Sequence, residues 1–311
     1  MMQVYHTLSS LPRFNKAVIT IGTFDGVHLG HKQIILQLLK EADAIGGTPV
    51  LLTFWPHPKQ VVDSNRKPIF MLNSPEEKYS LLHNAGIDHI VVAPFSREFA
   101  EQPAEQYIKN LLVDTLQANT IIIGYDHRFG KNREGDYHLL DSLSSKYGYQ
   151  VREIPERLIR NMIISSTRIR EALLTGDLST AHDFLGYRYF FSGLVIAGNK
   201  LGRTIGYPTA NLKIEDPEKL VPANGVYAVE VESSRYPGIF KGMMNIGTRP
   251  TVDGTRRTIE VHLLDFDDDL YDTRLQITLH KWLRKEEKFE GLTALKAQLE
   301  KDQLNTREAF L

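Results

Sequence analysis

The chain has 311 residues, 37 Lys and Arg against 38 Asp and Glu, and no cysteine, so it is long enough for two cores. The balanced charge gives no broad positive field for nucleic acid or anionic lipid, and the missing thiols exclude disulfides, thiolate nucleophiles, iron–sulfur ligation and cysteine-based zinc sites. The opening MMQVYHTLSSLPRFN lacks a basic stretch leading into an apolar one, and no segment approaches the roughly 18–20 apolar residues of a membrane helix; the chain reads as soluble and cytoplasmic, with small-molecule partners.

Up to about residue 155, β-branched runs alternate with helical patterns. AVITIG, HKQIILQLLKEADAIG, TPVLLTF, SPEEKYSLLHNAG and IDHIVVAPF give βαβαβ. Asn73 or Ser74 is the expected N-cap of the second helix, with Pro75 at its first position and Gly86 just past its end. PAEQYIKNLLVDTLQ, NTIIIGYD, DYHLLDSLSSKYG and YQVREIP continue the alternation, which predicts a mostly parallel sheet covered on both faces. After the helix STRIREALLTGD the pattern changes near residues 182–187. YFFSGLVIAG, YPTANLKI, GVYAVEVESS, GIFKGMMNIGT, RTIEVHLLDF and RLQITLHKWLR then read as six strands followed by the helix LTALKAQLEKD. That order suits a small antiparallel barrel.

The strand AVITIG runs through GTFDGVHLGH into an amphipathic helix, placing His28 and His31 at i and i+3 around its first turn. A helix start offers free N–H groups and a positive dipole end, and Gly22, Gly26 and Gly30 let backbone approach a phosphate. Two histidines at this spacing also occur at helix starts that bind nothing, but the strand, glycine loop and helix together favour an anion. A helical zinc-protease pattern would need i, i+4 spacing with an intervening Glu. ISSTRIREALLTG sets Ser165, Ser166, Thr167 and Arg168 at a second helix start, where either serine also serves as a plain N-cap. Arg168 adds a guanidinium that capping does not require. GYDHRFGKN lacks P-loop spacing, and GNKLGRTIG lacks the dinucleotide fingerprint.

In the second half, LGRTIGYPTANL sets Thr209 and Asn211 two apart on an extended segment, so both point to one side. Their oxygens are hard donors suited to Mg²⁺, although PTAN alone also reads as an ordinary edge turn. Alternation in RTIEVHLLDF puts Ile259, Val261 and Leu263 on one face and Glu260 and His262 on the other. Glu260 is then either a solvent-face charge or the carboxylate that takes a proton from a hydroxyl nucleophile.

GTFDGVHLGH and ISSTRIR, with TFWPHP and GYDHRFGKNREGD between them, resemble the nucleotidylyltransferase module of bacterial FAD synthetases. GRTIGYPTANL, GVYA, KGMMNIGTRPT, IEVHLLDF and RKEEKF resemble the riboflavin kinase module that follows it in that bifunctional riboflavin kinase/FMN adenylyltransferase family. The resemblance implies a Rossmann-like α/β domain over 1–183 and an antiparallel β-barrel kinase domain with a C-terminal helix over 184–311. It assigns ATP in the first domain to Gly22, Phe24, Asp25, His28, His31, Ser165, Ser166 and Arg168, and FMN to Phe54, Pro56, His57, Pro58 and Asp126. His127 stands where many relatives carry an aromatic residue. In the second domain it assigns ATP to Gly202, Thr209 and Asn211, with the latter pair on Mg²⁺, the catalytic base to Glu260, and the flavin neighbourhood to Arg284. Riboflavin, FMN and FAD become substrates or products, with ATP as co-substrate.

The two residue sets match two nucleophiles. A neutral alcohol attacking ATP needs a base, whereas a phosphate nucleophile is already anionic and needs donors that position and neutralise charge. Two rival readings are a nucleotidylyltransferase for another acceptor, which the kinase-like half argues against, and a flavin sensor or RNA binder without turnover. Near-zero net charge argues against RNA.

Overall fold

The apolar runs of the first half pair as parallel strands because both of their faces are covered. The computed structural model describes residues 1–62, 69–154, 164–198, 201–251 and 254–311, which divide into two units, Met1–Ser165 and Ser166–Leu311. Pro155, Asn199 and Lys200 of the motifs above lie outside the described residues.

The first unit contains β1 (Gln3–Tyr5), β2 (Ala17–Ile21), α1 (Leu29–Ile45), β3 (Pro49–Trp55), α2 (Pro58–Val62), α3 (Pro75–Asn84) and β4 (His89–Pro94). It continues through α4 (Arg97–Ala100), α5 (Ala104–Tyr107), a π-helical turn over Ile108–Thr115, β5 (Ala118–Gly124), α6 (Tyr137–Tyr147) and β6 (Gln150–Ile154). The six strands lie in the order β1-β4-β3-β2-β5-β6, with parallel pairing throughout. Every β2 residue is buried. Alternate residues of the central strands feed two cores: Ile19, Leu52, Val91 and Ile121 pack with Tyr107, Leu112 and Leu140 on one face, and Val18, Leu51, Ile90 and Ile122 with Ile35, Leu38 and Leu82 on the other. Ser74 proves to be the N-cap of α3, in a full capping box with Glu77 and with Pro75 behind it.

This order fixes where a ligand fits. From β2 the chain winds to β3 and β4 on one side, then returns to β5 on the other side of β2. The loops leaving the carboxyl ends of β2 and β5 therefore flank a topological switch point, the usual ligand crevice of open parallel sheets.

The second unit opens with α7 (Ser166–Thr175) and α8 (Leu178–Leu185), followed by β7 (Phe190–Ile196), α9 (Leu201–Thr204), β8 (Ala210–Lys213), β9 (Gly225–Ser233), β10 (Ile239–Thr251), β11 (Gly254–Leu263), β12 (Arg274–Arg284) and α10 (Leu292–Glu308). The strands close antiparallel in the order β10-β11-β8-β7-β12-β9. The interior is filled by residues such as Phe191, Val229, Met244, Ile246, Val261, Ile277 and Leu279.

Arg284, expected near a flavin, closes the barrel against α10. Its Nε and Nη2 donate to the fully buried Asp302 carboxylate at 2.9 and 2.7 Å, and its guanidinium lies 5.7 Å from the Phe289 ring centroid. Arg284→Met would leave that carboxylate buried without its cation. The expected loss is about 3–5 kcal/mol of barrel stability, measured by denaturant unfolding; a loss below about 1 kcal/mol, the range of an exposed pair, would show that the clasp is dispensable.

Candidate nucleotide and kinase sites

The loop from β2 to α1 is strained where it turns. Phe24, Gly26 and Val27 carry φ of 48°, 87° and 37°, and Val27, being β-branched, is the least tolerant of such a conformation. Phe24 and Val27 are buried, so packing holds the turn. Strain of this kind, about 1–3 kcal/mol per residue, persists where the surroundings over-determine the backbone and is concentrated at functional sites. Gly22 and Gly30 are needed for close approach, because a Cβ would meet the Phe24 ring at 3.0 Å and the His28 ring at 3.2 Å respectively.

His28 is the N-cap of α1, and its Nδ1 accepts the His31 N–H at 3.3 Å. The two imidazoles stack, with centroids 3.6 Å apart and planes 14° from parallel. Burial holds His28 down to about pKa 4, and His31 falls well below its ordinary value through burial and the neighbouring charges of His28 and Lys78. Both rings are therefore neutral at pH 7. Because His28 Nδ1 accepts a hydrogen, its own proton sits on Nε2, which makes Nε2–H a donor. The site thus offers uncharged imidazole donors beside the free N–H groups of a helix start.

This neutral state gives a pH dependence with a definite sign. Between pH 6.5 and about 4 the unfolded chain binds more protons at His28 than the folded one. Folding stability should then be full above pH 6.5 and fall as pH drops toward 4, by about 3 kcal/mol from His28 alone. Thermal melts of the parent and His28→Asn across pH 4–7 measure it; equal slopes in both would refute the assignment.

Asp25 is 4 % exposed and its Oδ1 accepts the Leu72 N–H at 2.9 Å, so this carboxylate ties the loop to the start of α3. Ser165 ends the first unit, while Ser166 and Arg168 open α7 at the start of the second, with Ile169, Ala172 and Leu173 on its buried face.

Among the expected flavin residues, Phe54 and Pro58 are half-buried, Pro56 and Asp126 are exposed, and His57 is buried with Nδ1 accepting the Lys59 N–H at 3.2 Å. The Trp55–Pro56 peptide is cis. Phe54 lies 5.6 Å from Phe95 and 5.9 Å from Phe99, and Phe99 leads through Tyr107 to Phe129 and His127. These rings gather near the carboxyl ends of β3, β4 and β5, where the half-buried Phe54, Phe95 and Phe99 offer apolar faces. Tyr107 Oη and His127 Nε2 are buried without a hydrogen-bond partner. Phe95, Phe99, Tyr107 and Phe129 are missing from the sequence-based list because short helices and loops, which have no hydrophobic period, carry most of them.

In the barrel, Glu260 of β11 lies directly opposite Asn211 of β8 and Asn245 of β10. Ile259, Val261 and Leu263 are buried on the alternate face, as the pattern predicts. The face carrying Glu260 is not open solvent: His262 is buried beneath Tyr207, with Nδ1 2.7 Å from the Pro208 carbonyl oxygen. Glu260 is half-buried and accepts from Arg249 Nη2 at 2.7 Å through Oε1. Thr209 and Asn211 are also half-buried. Gly202 has no room for a side chain, since a Cβ would meet the Tyr207 carbonyl oxygen at 2.2 Å and Thr209 Oγ1 at 3.5 Å. Asn245 escapes sequence reasoning because only strand register sets it opposite Glu260, and Arg249 because its side chain reaches Glu260 from four residues further along β10.

A switch-point crevice opening on a helix N-terminus, joined in one chain to a barrel bearing a carboxylate and hard oxygen donors, defines a nucleotide-dependent transferase with two sites. Comparison with known proteins gives the family. Residues 11–168 match the family model described as FAD synthetase and residues 185–310 that described as riboflavin kinase. The chain is 40 % identical over 306 residues to the bifunctional riboflavin kinase/FMN adenylyltransferase of Escherichia coli K12, covering 98 % of this chain and 96 % of that one. It is 36 % identical to the Bacillus subtilis 168 protein of the same description, covering 92 % and 90 %. A solved structure from Streptococcus pneumoniae described as a macrolide-efflux protein matches with a TM-score of 0.86 at 29 % identity, covering 98 % of each chain. The chain belongs to the bifunctional riboflavin kinase/FMN adenylyltransferase family. Among the described residues no helix is long and apolar enough to cross a membrane.

Proposed function

We propose that residues 184–311 phosphorylate riboflavin to FMN and residues 1–183 adenylylate FMN to FAD with release of pyrophosphate. The observation that carries this reading is the cross-strand register of Glu260 with Asn211, which sets a proton acceptor beside a hard oxygen donor. In the kinase step Glu260 accepts the proton of the ribityl 5′-hydroxyl as its oxygen attacks the γ-phosphorus of ATP, and the bond to the β–γ bridging oxygen breaks. Arg249 holds Oε1 and so orients the carboxylate. Thr209 and Asn211 suit Mg²⁺, which commonly takes only one or two protein oxygens and fills its other positions with water and phosphate. Once bound there, the ion supplies charge neutralisation on the phosphates. The donor set fits that demand: Thr209 and Asn211 offer half-buried hydroxyl and amide oxygens at the start of β8, with Asn211 in register with the strand position of the Glu260 carboxylate.

In the adenylylation step the FMN phosphate attacks the α-phosphorus of ATP and pyrophosphate leaves. His28 and His31 act as donors to the phosphates, the family resemblance adds Ser165, Ser166 and Arg168 to that role, and the rings around Phe54 receive the isoalloxazine. Use of ATP suits a cytoplasmic setting for both reactions. The test is to incubate the purified chain with riboflavin, ATP and Mg²⁺ and to separate the flavins. FMN followed by FAD is expected; FMN that never becomes FAD, or riboflavin left unchanged, would sink the corresponding half.

A further inference from the structure

Lys78 of α3 is a buried ammonium tied to the loop between β2 and α1. It is 8 % exposed, and its Nζ donates to Thr53 Oγ1 at 3.3 Å; Thr53 Oγ1 donates onward to the Thr23 carbonyl, also at 3.3 Å. Its charge is favoured by Asp25 of the same loop. The titratable groups around it are Asp25, His31 of α1 and, on its own helix, Tyr79, whose ring centroid is 5.7 Å away. An apolar side chain of similar length would fill that space without desolvating a cation. What the cation does, and an apolar group would not, is donate through Thr53 to the Thr23 carbonyl of the loop and offset the Asp25 carboxylate of that same loop.

We propose that Lys78 is a positioning residue of the adenylylation site: it fixes the Thr23–Asp25 backbone and neutralises Asp25, so that an ATP polyphosphate meets the loop without repulsion. This rests on the reading of the His28–His31 helix start as the ATP site. Burial lowers the Lys78 pKa to about 8, so the neutralisation weakens as pH rises through that value.

The experiment uses the full chain, with FAD formation from FMN measured against ATP concentration and riboflavin phosphorylation in the same sample as the control. Lys78→Met should lower kcat/KM for ATP in FAD formation by about 10–100-fold, the range for losing a charged hydrogen bond. Most of the change should lie in KM, and kinase activity should be unchanged. Adding Asp25→Asn to Lys78→Met should recover part of the loss, because the uncancelled charge is then gone. In the parent, KM for ATP should rise as pH passes about 8, and that rise should be absent from the double variant. Parental kinetics in Lys78→Met, a loss that Asp25→Asn does not relieve, or a flat parental KM profile through pH 8 would each overturn the proposal. The pH profile decides the matter even if Lys78→Met fails to fold. His31→Ala run alongside separates the two failures: if it is impaired while Lys78→Met is not, only this inference falls, and if neither is impaired the ATP assignment falls with it.

Discussion

Glu260→Gln is expected to reduce riboflavin phosphorylation by roughly 10²–10⁴ while conversion of supplied FMN to FAD persists. The substitution keeps the shape and one carbonyl oxygen, so Arg249 retains an acceptor and the pairing of β11 with β8 and β10 is undisturbed. What disappears is the lone pair able to hold a proton as the ribityl oxygen attacks. Arg249→Gln separates orientation from basicity. Arg249 is itself more than half exposed, so stability should change by less than about 1 kcal/mol, and the rate should fall less than in Glu260→Gln. Parental kinase activity in Glu260→Gln would return that residue to the role of a charge on a strand face.

The sequence makes the architecture legible because each half obeys one period. In the first half, the central strands read as apolar runs between helical patterns, and β2 through β5 match those runs to within a residue, whereas the edge strand β6 (QVREI) buries only Val151 and Ile154. β1 is too short at three residues to carry a pattern and gains its place by pairing with β4. The α helix expected over PAEQYIKNLLVDTLQ passes into π geometry at Ile108–Thr115, a change of hydrogen-bond register that apolar spacing does not encode. The helix at the end runs on to Glu308, past the expected Asp302, because Asp302 and Thr306 are buried polar residues that periodicity counts as solvent-facing.

Side-chain roles divide along a similar line. The placement of His28, His31 and Glu260 is legible because each sits in a local context, a glycine loop before a helix or an alternating strand. Lys78 is hidden in SPEEKYSLLHN, which reads as a solvated helix, since its burial depends on sheet order bringing α3 under the loop. The bidentate tie of Arg284 to Asp302 spans 18 residues and a strand-to-helix junction, with no signature in RKEEKF. The neutrality of the two histidines is likewise a property of packing. Sequence reasoning supplies imidazole donors, and the structure adds that they are uncharged before substrate arrives.

That neutrality sharpens what His31→Ala should do. The variant removes an uncharged donor and the stacking partner of His28, whose ring lies 3.6 Å away, while the His31 backbone N–H that His28 accepts remains. The N-cap should survive, so the loss is chemical, comparable to losing an oxyanion donor at roughly 10²–10³ in the rate of FAD formation. FMN should accumulate, because Glu260, Thr209 and Asn211 are untouched. Arg168→Ala should produce the same block through a charged donor, and the two variants should differ in salt dependence. Removing the guanidinium weakens a screened, long-range attraction for ATP, whereas removing a neutral imidazole does not. Measuring KM for ATP in both variants at low and high ionic strength makes the comparison. A His31→Ala chain that converts added FMN to FAD at the parental rate would show that the helix start after β2 does not hold ATP.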